Sequence, residues 1–161
     1  MVTELEIWNY LEEVFDPEVP VLTVVDLGVV RAVKVEGNAC HVTITPTYSG
    51  CPAMKRMEDD IKEKLAEKGV KNVSVELVLS PAWTTDWLTE KGRTKLSEYG
   101  IAPPENETDK SILFADPVIV PCPQCKSKNT RLISQFGSTA CKAHYQCNDC
   151  LEPFDYFKCL R

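Results

Sequence analysis

Apolar residues recur at helical intervals near the start of the chain. In TELEIWNYLEEVF, residues Ile7, Trp8, Leu11, Val14 and Phe15 fall on one face. Thr3 and Glu6 stand in capping-box spacing, which marks the start of this helix. Asp16-Pro17 predicts its end, because a residue before proline avoids the helical region. The next stretch, DPEVPVLTVVDLG, is too rich in proline for a helix. Alternation then takes over: Val29, Val33 and Val35 share one parity, interrupted by Arg31. Gly37-Asn38 is a hairpin turn pair, and Cys40, Val42 and Ile44 resume the alternation beyond it. After TYSGCP, Met54, Met57, Ile61 and Leu65 mark one face of a second helix, closed by Gly69. Val73, Val75, Leu77 and Leu79 predict a third strand. TTDWLTEKGRTKLSEYG predicts a last amphipathic helix, ended by Gly100, with Trp87, Leu88, Leu96 and Tyr99 inward.

The order α-β-β-α-β-α over residues 1–100 predicts a small α/β (α+β) sandwich. Its strand–helix–strand portion should cross over right-handedly between parallel strands. IAPPENETDKS brings prolines and charge without periodicity, so residues 101–117 read as a linker. Residues 118–161, which hold the pairs Cys122/Cys125 and Cys147/Cys150 in C-x₂-C spacing, then read as a second unit, a small all-β domain of zinc-ribbon type.

Composition fits this division. With 161 residues, 43% apolar and 26% charged, the chain can bury one core and a small satellite. The amino terminus is acidic where a signal peptide would be basic, and no apolar run reaches transmembrane length. These features predict a cytoplasmic protein without membrane attachment. Of the net charge of −6, residues 118–161 contribute +3 and the first 117 therefore −9. So acidic a body argues against a nucleic-acid partner, since phosphate binding needs a concentrated positive face.

Eight cysteines are many for such a chain. In a reducing cytosol, clustered cysteines hold metal or do chemistry more often than they form disulfides. Cys122-Pro-Gln-Cys125 and Cys147-Asn-Asp-Cys150 are two C-x₂-C pairs, and a two-residue spacer turns both thiolates of a tight knuckle toward one point. Two such knuckles complete a tetrahedral shell, which predicts structural zinc, with an iron–sulfur cluster as the alternative occupant. So short a domain cannot fold by apolar burial alone, and a metal supplies the missing stability. Four thiolates on one Zn²⁺ reduce the local +3 to about +1, which further weakens a nucleic-acid role. Cys141 and Cys159 lie outside the pairs; they read either as small buried hydrophobes or as an additional metal position. His144 is a weaker candidate ligand.

Cys51, between Gly50 and Pro52, raises a separate question. With Pro52 at the first helical position, Cys51 becomes the cap. Its sulfur then faces free backbone N–H groups and the positive end of the helix dipole, which predicts a thiolate. Four roles stay open for it. A nucleophile would need a base, and His41 is the only histidine in this domain. A redox switch would need a resolving thiol, for which Cys40 is the candidate. A metal or cluster ligand needs more ligands than this segment supplies, so a homodimer or a client protein would have to share the site. Finally, it could be a partly buried structural cap.

The stretches DPEVPVLTVVDLGVVRAVKVEG, VTITPTYSGCPAMKRMEDDI and VELVLSPAWTTDWL resemble the metal–sulfur cluster assembly domain family. The hallmarks of that α/β family fall on Asp16, Pro17 and Glu18, on Asp26, Leu27 and Gly28, and on Cys51 and Pro52. FGSTACKAHYQCNDCLEPFDYFKC resembles the carboxy-terminal ribbon of one branch, the D subunits of phenylacetyl-CoA epoxidase systems in aerobic phenylacetate degradation. This resemblance implies a non-enzymatic accessory role: assisting iron–sulfur cluster assembly or maturation of the system's reductase, which carries flavin and a cluster. It implies zinc in the ribbon and a transient iron–sulfur cluster at Cys51, with Asp16, Glu18 and Asp26 as neighbouring candidates. The implied partners are the other epoxidase subunits. No Glu-x-x-His pair occurs, so the chain does not read as the di-iron oxygenase itself. A scaffold protein of the complex that binds no iron is the second reading.

Overall fold

The structure, a computed structural model, describes residues 1–48, 50–104 and 119–158. It divides into two compact units. One holds residues 1–83 and 87–92, the other residues 84–86 and 93–161.

In the first unit, helix α1 spans Glu4–Leu11 and opens with the expected box. The Thr3 hydroxyl accepts from the Glu6 N–H at 3.3 Å, and the Glu6 carboxylate accepts from the Thr3 N–H at 2.7 Å. The helix ends four residues before the predicted Phe15. There the chain turns into an antiparallel bridge, Phe15 with Thr23, supported by Asp16 N–H to the Leu22 carbonyl. Phe15 is accordingly exposed, while Val14 stays in the core. The proline-rich segment that follows is irregular but not peripheral. Val19, Leu22, Val24, Leu27 and Val29 are all buried.

Strands β1 (Val30–Glu36) and β2 (Ala39–Ile44) form the predicted hairpin across Gly37-Asn38, with Gly37 at φ +61°. Helix α2 (Ala53–Glu67) packs Met54, Met57, Ile61 and Leu65 inward. It ends in a Schellman arrangement: Gly69 at φ +89°, with the Val70 N–H on the Leu65 carbonyl. Strand β3 (Asn72–Leu77) pairs parallel with β2, giving sheet order β1-β2-β3. The expected α/β sandwich is therefore present, with the core between the helices and one sheet face.

The final predicted helix is shorter than the pattern suggested. Thr85–Trp87 makes one 3₁₀ turn, and α3 begins only at Glu90, where the Thr89 hydroxyl accepts from the Gly92 N–H at 3.0 Å. Leu88 and Leu96 are buried as expected, but Tyr99 is exposed.

The predicted boundary at residue 100 also moves. The second unit begins within α3 (Glu90–Tyr99), and Ile101–Ala102, assigned to the linker, form strand β4. The reason is pairing. Ile101 and Ala102 lie parallel against Asp155 and Tyr156 of β7 (Pro153–Phe157). Residues 105–117 of the linker lie outside the described residues. Strands β5 (Thr130–Ser134) and β6 (Lys142–Cys147) complete a sheet of order β4-β7-β6-β5. Its core is Ala102, Val120, Ala143, Tyr145, Phe154 and Tyr156, with Tyr145 stacked on Phe154 and edge-on to Tyr156.

Candidate functional site

The main candidates are four paired cysteines in the second unit and Cys51 in the first. In the second unit, each C-x₂-C pair forms a tight knuckle. In the first knuckle, the Cys122 N–H binds the Ser127 carbonyl and the Lys126 N–H binds the Cys122 carbonyl, both at 2.9 Å. In the other, the Cys147 N–H binds the Glu152 carbonyl at 2.9 Å. Lys126 and Leu151, each just after a second cysteine, share φ +65°. The knuckles thus repeat one backbone path. Sulfurs receive backbone N–H groups: Ser127 to Cys125, Asp149 and Cys150 to Cys147, Glu152 to Cys150.

All four sulfurs lie within 4.8 Å of one another; Cys122 and Cys150 are 3.7 Å apart, Cys125 and Cys147 3.6 Å. A metal about 2.3 Å from each of four tetrahedral sulfurs, as zinc would be, spaces them about 3.8 Å apart. The donor set fits such an ion. Without one, the thiols split: backbone N–H groups from Cys150 and Asp149 bring Cys147 down to about 7. Cys150 keeps the Glu152 N–H, yet lost solvent and the neighbouring sulfurs push it up to about 12. Four sulfurs this close cannot all ionise without a cation among them.

The sequence reading missed what bolts the knuckles together. The Asn129 amide donates to Asp149 at 2.9 Å, the Asn148 amide donates to the Asn129 side chain at 3.0 Å, and the Ser127 hydroxyl also reaches Asp149. Small polar residues next to cysteine pairs were the available signal. Cys141 stands apart from this group: it is buried, with the Thr139 hydroxyl 3.1 Å from its sulfur. Cys159 lies outside the described residues. His144 pairs instead with Asp155 at 3.3 Å across β6 and β7.

In the first unit, Cys51 occupies the loop between β2 and α2, at the carboxyl end of the parallel strands. Gly50 turns the chain at φ +77°, and Pro52 already has helical φ and ψ of −68° and −21°. Helix α2 itself begins at Ala53, so Pro52 rather than Cys51 takes the cap position, one residue later than expected, and the Cys51 sulfur receives the Ala53 N–H and the Tyr48 hydroxyl. The expected thiolate is not what results. Cys51 is only 8% exposed, and burial, reinforced by the Glu18 and Asp16 carboxylates, pushes the thiol up despite those two donors. Desolvation outweighs the helix terminus.

Asp16 and Glu18 therefore reach Cys51 electrostatically, but Asp16 is committed locally. Its Oδ1 accepts from the Glu18 N–H at 2.6 Å and the Val19 N–H at 3.1 Å, an Asx-type turn. Asp26 is likewise held within its own turn. It exchanges hydrogen bonds with Thr23, at 3.2 Å and 3.0 Å, and is buried. The rest of its motif is structural too. The Leu27 carbonyl accepts from the Trp83 indole at 2.8 Å, and Gly28 (φ +73°) lies beneath the Trp87 backbone. Arg31 caps that assembly, its guanidinium 3.5 Å from the centroid of the Trp87 ring. Among the described residues, the four ribbon cysteines are the only group of three or more potential ligands close enough to share one ion.

Residues 4–77 match the family model of the iron-sulfur cluster assembly protein, and residues 106–158 that of the PaaD zinc beta ribbon domain. Over 155 residues the chain is 52% identical to one of the D subunits, that of the putative 1,2-phenylacetyl-CoA epoxidase of Escherichia coli (strain K12), covering 96% of this chain and 92% of that one. The chain belongs to the family of epoxidase D subunits. A second relative of this family member is shorter: an Fe-S protein maturation auxiliary factor of Porphyromonas gingivalis, 38% identical over 96 residues, 58% of this chain and 90% of that one. A domain of unknown function from Bacillus anthracis superposes on 58% of the chain and 90% of its own, with TM-score 0.55 and 29% identity. This chain thus joins an assembly-type α/β unit to a cysteine ribbon. No helix among the described residues is long and apolar enough to cross a membrane.

Proposed function

We propose that this protein is a cytoplasmic, non-enzymatic accessory factor that assists iron–sulfur maturation in a phenylacetyl-CoA epoxidase system. Cys51 contacts iron or a nascent cluster, zinc holds the ribbon, and the client is the system's flavin and iron–sulfur reductase. One observation carries this reading: Cys51 is a thiol kept protonated beside Glu18 and Asp16. The carboxylates that disfavour a thiolate favour an arriving cation. Binding that cation releases the proton, and the Ala53 N–H and Tyr48 hydroxyl then stabilise the sulfur. A resting neutral thiol also resists oxidation, which suits a carrier that is empty most of the time. The other ligands come from a second polypeptide, because this chain's described residues assemble no ligand group there.

The test is anaerobic reconstitution with iron and sulfide, followed by optical and Mössbauer spectra. Wild type binds iron beyond the ribbon's metal, and Cys51→Ser loses that increment. Equal iron in both proteins overturns the assignment.

The burial of Cys51 also supports a second reading, a scaffold protein of the complex that binds no iron. Under that reading, co-purification with other epoxidase subunits is complete and indifferent to Cys51→Ser.

A further inference from the structure

The three-stranded sheet has two edges, and they are treated differently. At the β1 edge, a register shift between Val30 and Ala32 breaks the ladder, and the Glu4 carboxylate accepts from the Val35 N–H at 3.4 Å. A bulge and a capping side chain are devices that blunt an edge. Strand β3 has neither. It pairs only with β2, and among the described residues no backbone hydrogen bond reaches Asn72–Leu77 from the outer side. It contains no proline and no bulge. Leu77 continues the row of Val73 and Val75, and it is 52% exposed, with Leu79 beyond it 60% exposed.

We propose that β3 is a dimer edge, pairing antiparallel with β3 of a second copy about a two-fold axis at Ser74 to give one six-stranded sheet. A two-fold axis normal to a sheet brings residues of like parity together. Centred on Ser74, it sets Val73 against Val75 on the helix-covered face, and Asn72 against Glu76 on the open face. Each Asn72 amide then donates to the mate's Glu76, so the strand's one carboxylate meets a donor rather than its own copy. Lys71 falls opposite Leu77 and can lay its alkyl stem over it. The strand is self-complementary in this register, which favours a second copy over an unrelated strand.

The geometry bears on the Cys51 reading, on which it otherwise does not depend. Cys51 follows the carboxyl end of β2, and β3 runs parallel to β2. Antiparallel pairing of β3 therefore sends the two Cys51 loops to opposite ends of the sheet. The mate supplies no ligand to either, and the client must.

The test is sedimentation equilibrium of the full chain, with crosslinking. Wild type sediments as a dimer. Ser74→Lys, which sets two cations face to face on the axis, sediments as a monomer with an unchanged circular dichroism spectrum. Ser74→Cys, oxidised with diamide, gives a disulfide joining the two substituted positions, since opposed antiparallel Cα atoms lie within disulfide reach. Lys34→Cys, on β1, gives none. A monomeric wild type overturns the proposal. So does a dimer that survives Ser74→Lys without a crosslink at position 74, which would place the interface elsewhere. Cys51→Ser leaves the dimer intact, so failure of the edge and failure of the iron site read out separately.

Discussion

A Cβ on Gly28 would lie 2.3 Å from the carbonyl oxygen of Trp87. The two residues are far apart in the chain, and their approach closes the first unit. Gly28 turns the chain into β1 at φ +73°, leaving room for the Trp87 backbone to lie directly upon it. Gly28→Ala meets two costs, the left-handed backbone and the collision. Together they destabilise by roughly 2–4 kcal/mol. Gly37→Ala is the control: φ is +61° but nothing lies within 4 Å of the added carbon, so only about 1 kcal/mol is lost. Urea unfolding of both variants measures the difference; equal losses would mean the Trp87 contact is soft.

Much of this fold was legible because local signals and tertiary packing agree. The Thr3–Glu6 box, the Gly37-Asn38 turn, the α2 stripe and the paired cysteines each require one geometry, and each has it. The errors fall where distant contacts decide. Phe15 continues a helical stripe but is drawn into a bridge with Thr23, and Ile101–Ala102 look like linker until β7 pairs with them. Cys51 shows the same limit in electrostatics. The helix start beside it is visible in Gly50-Cys51-Pro52, but its burial and the reach of Glu18 are not. Those effects set the sign.

That sign is measurable. Because burial raises the Cys51 thiol, its alkylation, read peptide by peptide in a mass spectrometer, should accelerate only above the pH at which an ordinary thiol ionises. Removing a donor raises it further, so Tyr48→Phe slows the reaction at fixed pH. Removing a repelling charge lowers it, so Glu18→Gln speeds the reaction. The linkage to stability follows. The unfolded thiol ionises near its ordinary value while the folded one does not, so this contribution is complete below about pH 8.5 and fades as pH rises toward the folded value.

Metal removal should act on the ribbon strands first. With a chelator, or in Cys122→Ser, amides of β5, β6 and β7 lose hydrogen-exchange protection while those of β1 to β3 keep theirs. Structural zinc in small domains contributes on the order of 10 kcal/mol of apparent binding energy, more than this short sheet can replace by packing. Retention of protection in β6 after full metal loss would show that the Tyr145–Phe154 core suffices alone.

Metal retention should also depend on pH in a definite direction. Cys147 alone is drawn down to about 7, while Cys150 is held up at about 12 in the absence of a cation. Above pH 7 an incoming ion finds the Cys147 thiolate ready and displaces the protons that Cys125 and Cys150 hold. Below it, the Cys147 proton competes as well. Affinity therefore falls with acidification, and more steeply once pH drops under about 7. A competitive chelator titration at several pH values gives the slope, which counts the protons displaced.

The bolt between the knuckles supplies the last prediction. Asn129 donates to Asp149 at 2.9 Å and accepts from the Asn148 amide at 3.0 Å, so it connects the loop after Cys125 with the pair ending at Cys150. These bonds touch no sulfur, yet they fix the spacing at which four sulfurs meet. Asn129→Ala leaves every ligand in place but lets the knuckles drift, and partners of this kind typically cost 10–100-fold in metal affinity. Asn129→Asp should be as damaging or worse, because it sets a second carboxylate against Asp149. The check is the rate of metal transfer to a chromogenic chelator. Both variants should release metal faster than wild type while binding the same amount at saturation. Reduced stoichiometry instead would mean that Asn129 is needed for the ribbon to form at all.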